Sequence, residues 1–184
     1  DIGLSICEDI WSKDFTQELV AEGAELIINL SASPYTKTKK ETREIMLKEY
    51  FDGLGVPIVY VNQVGGQDEL IFDGSSLIIG SEQSKLISLK SFDVDSEQLE
   101  VIKKDKISLS VASKRQNNYS ELEDVYKALV LGTKDYVEKN GFNGIILGSS
   151  GGIDSALTAA IAYDALGSKK VNTVMMPFDF TADM

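Results

Sequence analysis

Two short stretches of this sequence hold residue types that could do chemistry. The first surrounds Cys7, the single cysteine of the chain, which follows the apolar run Ile2 to Ile6 and precedes Glu8, Asp9, Ile10 and Trp11. A thiol at a strand exit can be held rigidly and still be reached, as a nucleophile must be, although a lone cysteine is more often a small packed hydrophobe. The second is Gly148-Ser-Ser-Gly-Gly-Ile-Asp-Ser155, placed between an apolar run and a helix start. Unpaired N–H groups and the positive end of a helix dipole meet at such a point, so a phosphate fits there. Gly148, Gly151 and Gly152 let the backbone approach a ligand, Ser149, Ser150 and Ser155 add hydroxyls, and Ile153 opens the helix. Asp154 puts a carboxylate where a Mg²⁺ bridging phosphates would lie. The Gly-Lys-Ser/Thr ending of a Walker A loop is missing.

Periodicity supplies the elements that must position these residues. Runs at 2–6 and 25–30 flank a helix expected from about Phe15 to Glu22, a β-α-β pattern. Thr38 and Glu41 form a possible capping box for a helix carrying Leu47, Tyr50, Phe51 and Leu54, with Gly53 and Gly55 at its stop. A strand is expected from Pro57 to Val64, then a hairpin of Glu69 to Phe72 and Ser75 to Ile79 turning at Asp73-Gly74, then short strands at Leu86 to Leu89 and Phe92 to Val94. Residues from about 100 to 118 are polar and read as a linker. Ser120 and Glu123 make a second capping box for a helix ending at Asn140-Gly141. Strand 144–147, the Gly148 loop, an Ala-rich helix from about Ile153 to Leu166 with Gly167 as its stop, and strand 171–175 follow, the order of a nucleotide-binding α/β unit.

Composition narrows the chemistry. Histidine is absent, so neither a Cys-His nor a Ser-His pair can form within these residues. A net charge of -11 argues against a nucleic-acid surface, since phosphate backbones are held by clustered Lys and Arg. No apolar run approaches the ~20 residues of a spanning helix, so no membrane partner and a cytoplasmic setting are expected. A chain that opens on Asp1 within a strand and stops at Met184 reads as a fragment.

The Gly148 to Ser155 loop resembles the SGGxDS pyrophosphate loop of the N-type ATP pyrophosphatases. The segments Ile6-Cys-Glu-Asp-Ile-Trp11, Asn29-Leu-Ser-Ala-Ser-Pro34 and Val61-Asn-Gln-Val-Gly-Gly-Gln-Asp-Glu-Leu-Ile-Phe-Asp-Gly74 are similar, in order and spacing, to the nitrilase-type glutaminase domain of bacterial NAD synthetases. The resemblance implies an α/β fold: the C-terminal part of a nitrilase-like α-β-β-α sandwich over residues 1–102, a linker at 103–118, and the start of a Rossmann-like (adenine nucleotide alpha hydrolase-like) parallel α/β domain over 119–184. It implies Cys7 as nucleophile, Ser33 and Lys39 as glutamine-binding residues, and ATP with Mg²⁺ at Gly148 to Ser155, Asp154 being the metal ligand. The implied reaction is amidation of deamido-NAD with ammonia from glutamine, in a homo-oligomer. Lys37 and Lys40 lie beside Lys39 and compete with it as a solvated basic helix start. Glu8 is read as exposed, and Asn62 and Asp73 as residues that hold turns together. The family's base Glu and catalytic Lys are expected before Asp1, the deamido-NAD site after Met184, and residues 176–183 resemble the start of its substrate-side loop. The rival readings are another glutamine-dependent ATP-pyrophosphatase amidotransferase and an inert nucleotide-binding module.

Overall fold

Three parallel strands, β1 (Ile2–Ile6), β2 (Leu26–Ser31) and β3 (Ile58–Asn62), form the spine of the first half of the chain. The computed structural model describes residues 1–80, 86–111 and 119–176. They form two compact units, one of Asp1–Val64 with Phe72–Glu121 and one of Gly65–Ile71 with Leu122–Met184.

In the first unit, helices α1 (Lys13–Ala21) and α2 (Lys39–Leu54) are the crossovers that let β1, β2 and β3 run parallel. Strands β6 (Leu77–Ile79) and β7 (Leu86–Ser88) extend the sheet antiparallel, in the order β1-β2-β3-β6-β7. Alternation divides the core. Ile27, Ile58, Tyr60, Leu77 and Ile79 pack with Met46, Leu47 and Tyr50 of α2. On the other face Leu26, Ile78 and Ile87 pack with Leu109 and Val111, which belong to the antiparallel pair β8 (Leu99–Lys103) and β9 (Ile107–Val111). Gly3 allows close packing at the sheet edge, because a Cβ there would lie 3.0 Å from that of Ala24.

The second unit contains α3 (Glu121–Lys139), β10 (Ile145–Ser149), α4 (Ile153–Leu166) and β11 (Val171–Met175). β10 and β11 pair in parallel around the α4 crossover, from Ile145 with Val171 to Ser149 with Met175. Gly141 and Gly167, both at positive φ, follow the two helices as expected. Tyr126 Oη donates to Asp164 at 2.7 Å, which raises the Tyr126 pKa above its ordinary value. Strands β4 (Val64–Gln67) and β5 (Leu70–Asp73) form a hairpin whose tip belongs to this unit. Gly66 donates its N–H to Asp135 at 2.7 Å and accepts from Lys139 at 2.7 Å. A Cβ on Gly66 would come 3.2 Å from the Cα of Gly132.

Four expectations are corrected. Asp73-Gly74 is not a hairpin turn: the turn is Asp68-Glu69, with Asp68 at φ 51, and Asp73 is instead buried against Arg43. Phe92 to Val94 is not a strand, because Phe92 has φ 62 and donates its N–H to the Asp73 carbonyl at 2.8 Å. The Thr38–Glu41 capping box does not form, since Thr38 takes a helical φ/ψ and its side chain caps nothing; the cap that does form is Ser12 Oγ accepting from Phe15 N–H. The segment read as a linker is in part β9, whose Ile107, Leu109 and Val111 alternate toward the sheet. Residues 112–118 lie outside the described residues, as do 177–183 of the suspected substrate-side loop. Among the described residues no helix is long and apolar enough to cross a membrane.

Candidate active site at Cys7 and the Gly148 to Ser155 loop

In parallel sheets the carboxyl ends of the strands are where ligands bind, because loops leave there and helix N-termini point there. Cys7 leaves the end of β1 and opens a short 3₁₀ turn, Cys7–Trp11. It is half-buried and has φ 50. Left-handed backbone at a non-glycine residue costs on the order of 1 kcal/mol or more and persists only where surroundings enforce it. The surroundings are on both sides. Asp9 folds back to accept the Ile6 N–H at 2.9 Å, and its carbonyl accepts the Ser12 N–H at 3.1 Å. From β2, the fully buried Asn29 donates to Ser5 Oγ at 2.9 Å and to the Cys7 carbonyl at 3.4 Å, while accepting from Ser31 Oγ at 2.6 Å. The thiol is therefore presented by a backbone pinned at three points. Glu8 is exposed, as expected.

Ser33 follows the end of β2. Its backbone is clamped by Asn62, whose amide accepts the Ser33 N–H at 2.8 Å and donates to the Ser33 carbonyl at 3.2 Å. Asn62 also donates to Asp73 at 3.4 Å, and Asp73 pairs with the fully buried Arg43 of α2. Asn62 and Asp73 thus do more than close turns: with Arg43 they set where Ser33 stands. Ser33 Oγ is buried and makes no hydrogen bond, a group left for a ligand or a water. Lys39 is the first residue of α2, and its ammonium lies 4.0 Å from the centroid of the Trp11 ring. Lys37 is paired with Glu121 at 3.3 Å and Lys40 donates to Ser91 at 3.4 Å. Cys7, Ser33 and Lys39 are all held in the first unit. Asn29 and Trp11 enter the sequence reading only within the matched segments, and Arg43 not at all; none is given a role there. A buried Asn in the apolar run ELIINL, and an Arg four residues past Lys39 on one helix face, were the available signals.

The second unit places Gly148 to Ser155 where the sequence predicts it, from the end of β10 into α4. Gly151 takes φ 79 and Gly152, in extended backbone, precedes the helix, so the chain turns directly into the α4 N-terminus, where the first N–H groups have no partner within the helix. Ser155 Oγ donates to the Gly152 carbonyl at 2.9 Å, and Ser150 Oγ lies 3.3 Å from Ser155 Oγ. Gly148, Ser150, Gly151, Gly152, Ile153 and Asp154 are exposed, Ser149 and Ser155 partly so. Asp154 is in the first turn of α4. Among the described residues no group of three metal-ligating side chains forms, so a divalent ion here would be held by Asp154 and by a ligand's phosphates, as suits Mg²⁺.

The comparisons with known proteins divide at the same place. Residues 1–92 match the carbon-nitrogen hydrolase family and residues 125–184 match NAD synthase. The chain is 42% identical to the glutamine-dependent NAD(+) synthetase of Acinetobacter baylyi and 40% identical to that of Synechocystis, in each case over 99% of its own length. It spans about a third of the length of these curated relatives, 33% and 34%. Among solved structures, the glutamine-dependent NAD+ synthetase of Acinetobacter baumannii in complex with adenosine diphosphate is similar with a TM-score of 0.89 and 43% identity, over 98% of this chain and 34% of that one. That of Cytophaga hutchinsonii matches with a TM-score of 0.64 and 25% identity, over 92% of this chain and 27% of that one. A cysteine in left-handed backbone at a strand end and a glycine-serine loop at a helix start thus lie in the two matched segments: the chain belongs to the carbon-nitrogen hydrolase family, whose model matches half of it, and NAD synthase sequence follows on the same polypeptide.

Proposed function

We propose that the protein containing this chain makes NAD by ATP-dependent amidation of deamido-NAD, with ammonia drawn from glutamine at Cys7. The observation that carries the reading is Cys7 itself, held at φ 50 by Asp9 and Asn29 on the same chain as a phosphate-ready loop. Glutamine would enter with its carboxamide at Cys7 and its charged end near Ser33 and Lys39. A general base takes the Cys7 thiol proton, the thiolate attacks the carboxamide carbon, the C–N bond breaks as that proton passes to the nitrogen so that ammonia leaves, and water then cleaves the thioester to release glutamate and restore the thiol. The first N–H groups of the turn after Cys7, which a helical start leaves without partners within the turn, would serve the oxyanion.

The loop from Gly148 to Ser155 would hold the pyrophosphate of ATP through its N–H groups and serine hydroxyls. Mg²⁺, when bound at Asp154, would neutralise phosphate charge. With ATP so oriented, the nicotinate carboxylate attacks the α-phosphate, pyrophosphate leaves, and ammonia displaces AMP from the acyl adenylate. Free ammonia is largely protonated at neutral pH, which favours delivery within one protein over release to water. The functional halves are assigned to residues 1–111 and 119–184. The protein's setting as cytoplasmic and its assembly as a homo-oligomer follow from the same reading.

The test is to assay the full-length protein for glutamine hydrolysis and for ATP/pyrophosphate exchange dependent on deamido-NAD. Both activities are expected. Exchange with a different acceptor would favour another amidotransferase, and neither activity would leave a binding module.

A further inference from the structure

Three lysines crowd the start of α2, where the helix dipole disfavours cations. Each has a different partner. Lys37 pairs with the Glu121 carboxylate and Lys40 donates to a serine hydroxyl. The Lys39 ammonium, partly buried, meets no carboxylate among the described residues and rests instead over the ring of Trp11 at 4.0 Å. The difference matters for binding. A carboxylate partner cancels an ammonium's charge, whereas an aromatic face steadies it and leaves the full charge to be offered to an anion.

Trp11 is suited to that task by its own anchoring. It ends the 3₁₀ turn that begins at Cys7, its side chain packs on the core of Met46, Leu47 and Tyr50, and its carbonyl accepts Tyr50 Oη at 3.3 Å. One five-residue turn therefore carries the proposed nucleophile at one end and the ring beneath an ammonium at the other. We infer that Trp11 is a positioning residue for the proposed glutamine site: its ring holds the Lys39 ammonium at a set place relative to Cys7, so that a substrate's carboxylate is bound with its carboxamide in register with the thiol. The inference rests on the glutaminase reading above and adds to it how Lys39, among three neighbouring lysines, becomes the substrate's cation. It also makes Trp11 a determinant of selectivity for amides that carry a negative charge.

The experiment is a double-mutant cycle on the full-length enzyme, measuring kcat and KM for glutamine hydrolysis in Trp11→Leu, Trp11→Phe, Lys39→Met and Trp11→Leu/Lys39→Met. Trp11→Leu should raise KM about threefold to tenfold, the range a partly buried cation–π contact is worth, with kcat nearly unchanged. Trp11→Phe, which keeps a ring but a weaker one, should fall between wild type and leucine. The double variant should be no worse than Lys39→Met alone, because the ring acts through the ammonium. Effects that multiply, a fall in kcat at unchanged KM, or a Trp11→Phe enzyme indistinguishable from wild type would overturn the inference. A merely structural role for Trp11 would lower kcat and active fraction without touching the KM for glutamine, and the phenylalanine variant tests this even if the leucine variant fails to fold. Wild-type enzyme that releases no glutamate overturns the glutaminase reading and this inference together, whereas active wild type with an unresponsive Trp11 overturns this inference alone.

Discussion

The surroundings of Cys7 and the Gly148 to Ser155 loop are built on opposite plans. Around Cys7 buried side chains fix the backbone: Asn29 makes three hydrogen bonds in full burial, Asn62 clamps both sides of the Ser33 backbone, and Arg43 and Asp73 pair in the interior, with Ser33 Oγ and Arg43 Nε and Nη1 left without a partner. The loop is exposed, and its hydroxyls bond only to each other and to the loop backbone. The contrast suits the chemistry proposed for each. A nucleophile gains from being fixed before the substrate arrives, since misplacement of a fraction of an ångström is lost rate. A loop that holds a phosphate would offer its backbone N–H groups, while the Ser150 and Ser155 hydroxyls donate within the loop, to Ser155 Oγ and to the Gly152 carbonyl. The left-handed backbone at Cys7 is accordingly held by hydrogen bonds from Asp9 and Asn29, while the loop lies exposed.

Substitutions on the two sides should separate sharply. The largest effect is expected for Arg43→Met, which strands the Asp73 carboxylate in the interior and should cost about 3–5 kcal/mol in chemical denaturation. Asn29→Ala should cost about 1–3 kcal/mol, since it leaves Ser5 and the Cys7 carbonyl without a donor, and it should also lower kcat for glutamine hydrolysis by loosening the turn. If Asn29→Ala changed stability but left kcat intact, the pinning of Cys7 would be incidental. Ser155→Ala lies at the other extreme, with stability within about 0.5 kcal/mol of wild type but ATP/pyrophosphate exchange reduced about tenfold, as expected for losing a donor to a charged ligand. A thermal shift as large as that of Asn29→Ala would show that the loop, too, is rigidified in advance.

What the sequence discloses differs between the two regions for the same reason. The loop is local: eight consecutive residues between an apolar run and a helix contain the whole device, so periodicity and glycine placement suffice to locate it, and α3, α4, β10 and β11 fall close to where the pattern puts them. The Cys7 site is assembled from residues far apart in sequence. Asp73 looks like half of a turn beside Gly74, and only the fold brings it to Arg43, 30 positions away. Asn29 looks like an interruption in an apolar run until β1 lies beside it. Thr38 has the composition of a cap but a helical backbone, because the chain has already turned ahead of α2, Lys39 N–H donating to the Thr36 carbonyl at 3.2 Å. In β9 the signal was present: Ile107, Leu109 and Val111 alternate with serines, a period of two masked by the lysines that precede it.

The division of labour between the two regions is tested most directly by Cys7→Ala in the full-length enzyme, with NAD formation from deamido-NAD and ATP measured once with glutamine and once with ammonium as nitrogen source. The account predicts that synthesis from glutamine is abolished and synthesis from ammonium retained at near wild-type kcat. Loss of both, or survival of glutamine-supported synthesis, would contradict it.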